Sequence, residues 1–193
     1  MKKLSGWSVF WIVLGSIIFI LGAWGVGSYN GLVGLRESVD NQSANIETQL
    51  QRRADLIPNL VNTVKKFASH ESDILTQISN ARAKLAGAKT MPDRASADTE
   101  LSGALSRLLV IVENYPTLKA DTQFTNLMDE LAGTENRISV ARKDYNDSVK
   151  NYNNRIKTFP ANIIANMFGF SSADYFQAAN GSNTAPAVNF SQP

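Results

Sequence analysis

The chain has a single histidine, His70, next to Glu71 and close to Asp73, and these three make the one local grouping suggestive of metal ligation or proton transfer. Adjacent residues on a helix project in different directions, so His70 and Glu71 would not converge on one ion. A solvated helix face is the favoured reading. Asp129-Glu130 and Asp144 with Asp147 are the other carboxylate pairs. A catalytic couple needs a pocket that drives two pKa values apart, and pairs like these read as exposed helix charges. The absence of cysteine excludes thiolate chemistry, disulfides and Cys-based zinc sites, and one histidine excludes a multi-histidine site. No phosphate-binding loop, dinucleotide fingerprint, G-x-S-x-G elbow or H-E-x-x-H is present. The expectation is no catalytic, cofactor-binding or metal-binding residue, no cofactor, and a protein that is not an enzyme.

Charge narrows the partners. The formal net charge is +2, and both Lys2 and Lys3 precede the hydrophobic segment, so the rest of the chain is balanced. A balanced surface lacks the basic stripe that phosphate backbones require, which argues against nucleic acid.

The element that must position everything else is N-terminal. No charged residue occurs from Leu4 to Leu35, and the densest apolar stretch runs from Trp7 to Trp24. At ~1.5 Å per residue it spans roughly 27 Å, close to a hydrocarbon core of ~30 Å. Trp7, Trp11 and Trp24 are the expected anchor residues, Trp7 and Trp24 near its two ends at headgroup level. A cleaved signal peptide is the rival reading, disfavoured because its apolar core is usually ~7–15 residues and Trp24 intrudes where small residues should gather. The positive-inside rule places Lys2 and Lys3 in the cytoplasm and the rest of the chain in the periplasm or exterior. The expected organisation is a cytoplasmic N-terminus at 1–6, a transmembrane helix at 7–26, a glycine hinge at 27–31, a helical domain at 32–176 and a disordered tail at 177–193.

Apolar or small residues then recur at helical spacing at Leu35, Val39, Ile46, Leu50, Ile57, Val61, Val64, Ala68, Leu75, Ile78 and Leu85. Pro58 either kinks this run or starts a second helix, which Asp55 would cap. Gly87 and Thr90-Met91-Pro92-Asp93 mark an end and a turn. A second stripe is Leu101, Leu105, Leu108, Val112 and Tyr115, stopped by Pro116. The longest runs from Phe124 through Leu131, Ile138, Tyr145, Val149, Tyr152 and Ile156 to Phe159. No strand alternation competes, so the predicted fold is all-α, an N-terminal transmembrane helix followed by an up-and-down antiparallel bundle of long helices.

Two features invite more than a packing role. Tyr145-Asn146 and Tyr152-Asn153 lie seven residues apart on one face, where tyrosines line a core and asparagines flank the seam, or where a polar face sets register with another helix. Phe159, Phe168, Phe170, Tyr175 and Phe176 either plug the end of the core or form an exposed interaction surface for protein or membrane.

The ordered motifs YNGLVGLRESVD (Tyr29–Asp40), RRADLIPNLV (Arg52–Val61), YPTLKA (Tyr115–Ala120) and ELAGTENRISVARKDYNDSVKNYNNRIKTFP (Glu130–Pro160), followed by Phe168-Gly169-Phe170 and Tyr175-Phe176, resemble the LemA family over nearly all of the chain after the apolar segment. The resemblance implies one N-terminal transmembrane helix, a four-helix bundle in which Pro58 is a boundary, and a largely undefined role. It also brings descriptions of the opposite orientation, with the bundle in the cytoplasm, and associations with membrane proteases or magnetosome membranes.

The functional expectation is a non-catalytic scaffold or adaptor at the inner or cell membrane. It would contact lipid through its N-terminal helix and pair with a second copy, as a homo-oligomer, or with a partner protein. The alternative is a regulatory subunit of a membrane protease or envelope-stress pathway.

Overall fold

A computed structural model describes residues 6–177. The expectations for residues 1–5, with Lys2 and Lys3, and for the tail from 178 onward lie outside the described residues. Everything described is helix or connecting turn: α1 (Gly6–Phe67), α2 (Ser72–Gly87), α3 (Met91–Val112), α4 (Pro116–Lys119), α5 (Thr122–Lys157) and α6 (Ala161–Met167). The expected all-α class is observed. Contacts divide the chain into two compact units. One takes the N-terminal part through Asn41 together with Asp147–Ala173, and the other takes Gln42–Asn146 together with the residues from Asp174 on.

The apolar run opens α1, a helix of 62 residues that supplies both units. Phe10, Ile18, Phe19, Leu21 and Val26 are all exposed. This stretch is long and apolar enough to cross a membrane. In water so large an apolar surface would be a liability, whereas hydrocarbon matches it.

Two sequence expectations are corrected within α1. Residues 27–31 form no hinge, because the helix runs through them without interruption. Glycine costs a helix about 1 kcal/mol relative to alanine. Tertiary contact offsets that cost here: Ser28 and Leu32 are buried, and Tyr29 packs at 4.8 Å on Phe168 and 5.7 Å on Phe170. Nor does Pro58 break the helix, which continues to Phe67. Asp55, expected as a cap, instead accepts a hydrogen bond of 2.8 Å from Gln51 Nε2. Proline lacks an N–H for the carbonyl four residues back. That carbonyl, on Ala54, accepts from Arg82 Nε of α2 at 2.8 Å.

In the second unit the apolar stripes bury Ile46, Leu50, Ile57 and Val64 of α1, Ile78 and Leu85 of α2, Leu101 and Leu108 of α3, and Leu131 and Ile138 of α5. Helix starts follow local chemistry. Thr90 Oγ1 accepts from the Asp93 amide at 3.2 Å with Pro92 in the first turn of α3, and Asp121 Oδ1 accepts from the Phe124 amide at 2.9 Å ahead of α5. Polar links tie the helices pairwise: Arg94 to Glu47 at 2.7 Å joins α3 to α1, Lys84 to Glu100 at 2.8 Å joins α2 to α3, and Arg52 to Glu130 at 2.8 Å joins α1 to α5.

In the first unit Leu32 and Val39 of α1, Val149, Tyr152 and Ile156 of α5, and Ala161, Ile164 and Ala165 of α6 are buried. Helix α6 ends in a Schellman turn. The Phe170 amide donates to the Ala165 carbonyl at 2.9 Å and the Gly169 amide to Asn166 at 3.4 Å, while Gly169 takes φ 74°. That left-handed conformation is why glycine stands there.

Candidate functional site

The residues singled out for chemistry do not assemble. His70 is exposed in the turn between α1 and α2 and not on a helix, and Asp73 is exposed in the first turn of α2. Glu71 Oε1 accepts a hydrogen bond of 2.8 Å from the Tyr115 hydroxyl, which pushes the Tyr115 phenol up from its ordinary pKa. Its role is a latch between two connections. Among the described residues no group of three or more His, Asp or Glu side chains is placed to hold a metal ion. Of the other carboxylates, Glu130 pairs with Arg52.

The structure's concentrated chemistry is a buried charge cluster that the sequence reading missed. Asp98 of α3 is 0% exposed and Arg53 of α1 is 4% exposed. Arg53 Nη1 donates to Asp98 Oδ1 at 2.7 Å and to Glu135 Oε2 of α5 at 2.5 Å. Arg142 Nη2 donates to Asp98 Oδ2, and Arg142 Nη1 lies 3.9 Å from Glu135 Oε1. The Arg142 guanidinium also sits 4.9 Å over the Phe176 ring. Burial pushes the Asp98 carboxyl above the usual carboxylate range, against the opposing pull of Arg53 and Arg142. Both oxygens of Asp98 accept from guanidinium groups and the side chain is closed from solvent, so the carboxylate is committed within the packed helices. The arrangement joins three helices through one carboxylate, and breaking either pair would leave a charge buried without its partner, which is costly.

A signal for it existed. Arg53 is three residues past Leu50 and four before Ile57, and Asp98 is three past Ala95 and three before Leu101, so both charges sit in phase with buried apolar residues. A charge on the apolar stripe has to find a partner there.

The repeated Tyr-Asn pairs bind the segment that follows α6. In the first unit Asn153 Nδ2 donates to the Ala173 carbonyl and Oδ1 accepts from the Ala173 amide, both at 2.9 Å, while the Tyr152 hydroxyl donates to the Ser171 carbonyl at 2.8 Å. In the second, Asn146 makes the same pair of bonds to Phe176, at 3.0 and 2.9 Å, and the Tyr145 hydroxyl donates to the Asp174 carbonyl at 2.7 Å. Each asparagine amide thus reads one residue's backbone as a neighbouring strand would. The asparagine groups that might have set register with another helix are occupied within the chain.

The five aromatics of the expected interaction surface separate. Phe176 is buried and Tyr175 is 38% exposed, both belonging to the second unit. Phe168 and Phe170 share Tyr29 in the first unit, and Phe159 is exposed there. Trp7 and Trp11 meet edge to face at 6.2 Å, and Trp24 lies farther along α1 at 38% exposure.

Among the described residues these features define an all-helical fold with one helix long and apolar enough to cross a membrane and a charge cluster closed inside packed helices. Residues 42–190 match the model of the LemA family, and the chain belongs to that family. Among similar proteins are magnetosome protein MamQ 2 of Paramagnetospirillum magneticum, 29% identical over 185 residues covering 81% of this chain and 67% of the relative. Magnetosome protein MamQ of Magnetospirillum gryphiswaldense is 28% identical over 182 residues, covering 81% of this chain and 67% of its own. Protein LemA of Metamycoplasma hominis is 26% identical over 158 residues, covering 80% and 71%.

Proposed function

We propose that this protein is a non-catalytic, membrane-anchored scaffold or adaptor whose helices contact a second copy or a partner protein beside the membrane. The observation that carries this reading is the continuity of α1. One helix bears both the exposed apolar segment and the residues Arg52 and Arg53 that pair with α3 and α5. A helix that carries both an apolar segment and residues of a packed core suits presentation of a surface beside the membrane, and the charge cluster is spent internally. The reading includes an up-and-down four-helix arrangement after the anchor and a single-pass topology with the N-terminus in the cytoplasm. Relatives named as magnetosome proteins fit the membrane association that the apolar helix supports.

Detergent extraction followed by size-exclusion chromatography with light scattering, alongside crosslinking in cells, is the test. An oligomer or a reproducible crosslinked partner is expected. A strictly monomeric protein that crosslinks to nothing would overturn the scaffold reading. Protease accessibility in spheroplasts tests the orientation, because helices in the periplasm are cut without lysis and helices in the cytoplasm are not.

A further inference from the structure

The exposed half of α6 is divided along its length. Ala161, Ile164 and Ala165 turn inward, Asn162 and Asn166 occupy one flank, and Ile163 and Met167 occupy the other, 53% and 66% exposed. Phe159, four residues before Ile163, is 76% exposed, and Phe168 is 57% exposed. From Thr158 to Ala173 there is no charged residue, although Arg155 and Lys157 stand in the last turn of α5 immediately before. Four large apolar side chains therefore face solvent on a short uncharged segment. A protein that remained in water on this side would have reason to bury them.

Where the segment sits says what covers it. Ile164 Cδ1 would be 3.8 Å from a Cβ at Gly25, so α6 lies against the end of the apolar run of α1. One turn farther on, Tyr29 holds Phe168 and Phe170. Trp7 to Gly25 spans about 27 Å of helix, a hydrocarbon thickness. This places α6 at the depth where α1 would leave the membrane, beside Trp24 and Tyr29, the aromatic types that favour headgroups.

We propose that α6, with Phe159 and Phe168, is a second membrane contact: an interfacial foot that lies in the headgroup layer with Phe159, Ile163 and Met167 directed into the acyl boundary. This rests on α1 spanning the membrane. Amphipathic segments bind in this way when an apolar face meets lipid and basic residues stand beside it, as Arg155 and Lys157 do. The foot would hold α1 at one depth and limit its rotation, which a single helix does not do alone.

The chain has no cysteine, so one label can be placed at will. Full-length variants Ile163→Cys, Met167→Cys, Asn166→Cys, Ile18→Cys and Val110→Cys, each carrying an environment-sensitive fluorophore, would be reconstituted in phosphatidylcholine–phosphatidylglycerol vesicles. Ile18 reports the span, and Val110, exposed on α3, reports water. Expected are blue-shifted emission and quenching by lipids brominated near the headgroup for labels at 163 and 167, with labels at 166 and 110 quenched by aqueous iodide instead. Labels at 163 and 167 that behave like 110, while 18 is quenched by lipid, would overturn the foot and leave the anchor intact. A label at 18 that lipid does not quench would remove the span and the foot together. Labels at 163 and 167 shielded from iodide yet untouched by brominated lipid would mean that protein covers the face, which also overturns the proposal.

Discussion

Arg82 Nε donates to the carbonyl oxygen of Ala54, the acceptor that Pro58 leaves without its helical partner. A side chain from α2 thereby replaces one rung of α1. An unsatisfied buried carbonyl costs about 1–3 kcal/mol. Arg82→Met, which keeps the apolar stem and removes the donor, should lower stability by that amount in thermal or urea unfolding followed by far-UV circular dichroism. Adding Pro58→Ala restores an amide at position 58 and should recover most of the loss. If the two changes prove simply additive, Arg82 is not substituting for the missing rung.

This relationship explains what could and could not be read from the residues. The apolar stripes were legible because burial on a helix follows a 3.6-residue period, and Val39, Ile46, Leu50, Ile57, Val64 and Ile78 are all buried as expected. The glycines at 27 and 31 read as a hinge and are helical, and Pro58, which the residues leave open between a kink and a boundary and the family resemblance makes a boundary, lies inside α1. Local propensity disfavours helix at each, and the compensation comes from Arg82 and from Phe168 and Phe170, residues distant in sequence. The same distance hid the charge cluster, since Arg53, Asp98, Glu135 and Arg142 meet only in the fold. The Tyr-Asn repeat was visible as a pattern. Its partner was not, because the segment at 171–177 has no periodicity to announce it.

Removing one arginine from the cluster leaves a buried carboxylate short of charge. Breaking such a pair from one side costs about 3–5 kcal/mol, so Arg53→Met should destabilise the protein by roughly that much near neutral pH. The sign of the pH dependence follows from the raised Asp98 pKa. The folded state keeps this proton at pH values where the unfolded chain has lost it. The group's favourable contribution is complete below the unfolded pKa, ~3.9, and is lost as pH rises through the folded value. Loss of Arg53 raises the folded value further, so the defect of the variant should shrink as the medium is acidified. In an Asp98→Asn background that pH dependence of the Arg53→Met effect should be smaller, Glu135 remaining as the other carboxylate that Arg53 pairs with. A defect of constant size from acid to neutral pH would argue against Asp98 as its origin.

Asn153 and Asn146 each make two bonds to one residue of the segment after α6. Asn153→Ala removes both bonds to Ala173, at a net cost of about 1–2 kcal/mol. Exchange of the Ala173 amide measured by hydrogen–deuterium exchange should rise by about 5–30-fold. Asn146→Asp keeps the acceptor for the Phe176 amide but sets a carboxylate against the Phe176 carbonyl. It should loosen the segment more than Asn146→Ala does, read as faster proteolytic clipping after residue 170. Equal clipping in both variants would mean that repulsion at the Phe176 carbonyl is no larger than the bond retained from the Phe176 amide.

Gly169 takes φ 74° so that the Phe170 amide can reach back to Ala165 and end α6. A side chain there meets nothing within 4 Å, so any penalty for a substitution is conformational and not a clash. Left-handed backbone costs an L-residue about 1–2 kcal/mol, whereas asparagine tolerates it better because its side chain bonds locally. Gly169→Ala should therefore lower stability by about 1–2 kcal/mol and Gly169→Asn by less, with the order read from unfolding midpoints in detergent. The reverse order, or no loss for alanine, would mean that the chain can leave α6 without the left-handed turn. If the turn matters as argued, the alanine variant should also release Phe170 from Tyr29, and exchange of the Phe170 amide should accelerate while amides in α3 stay unchanged.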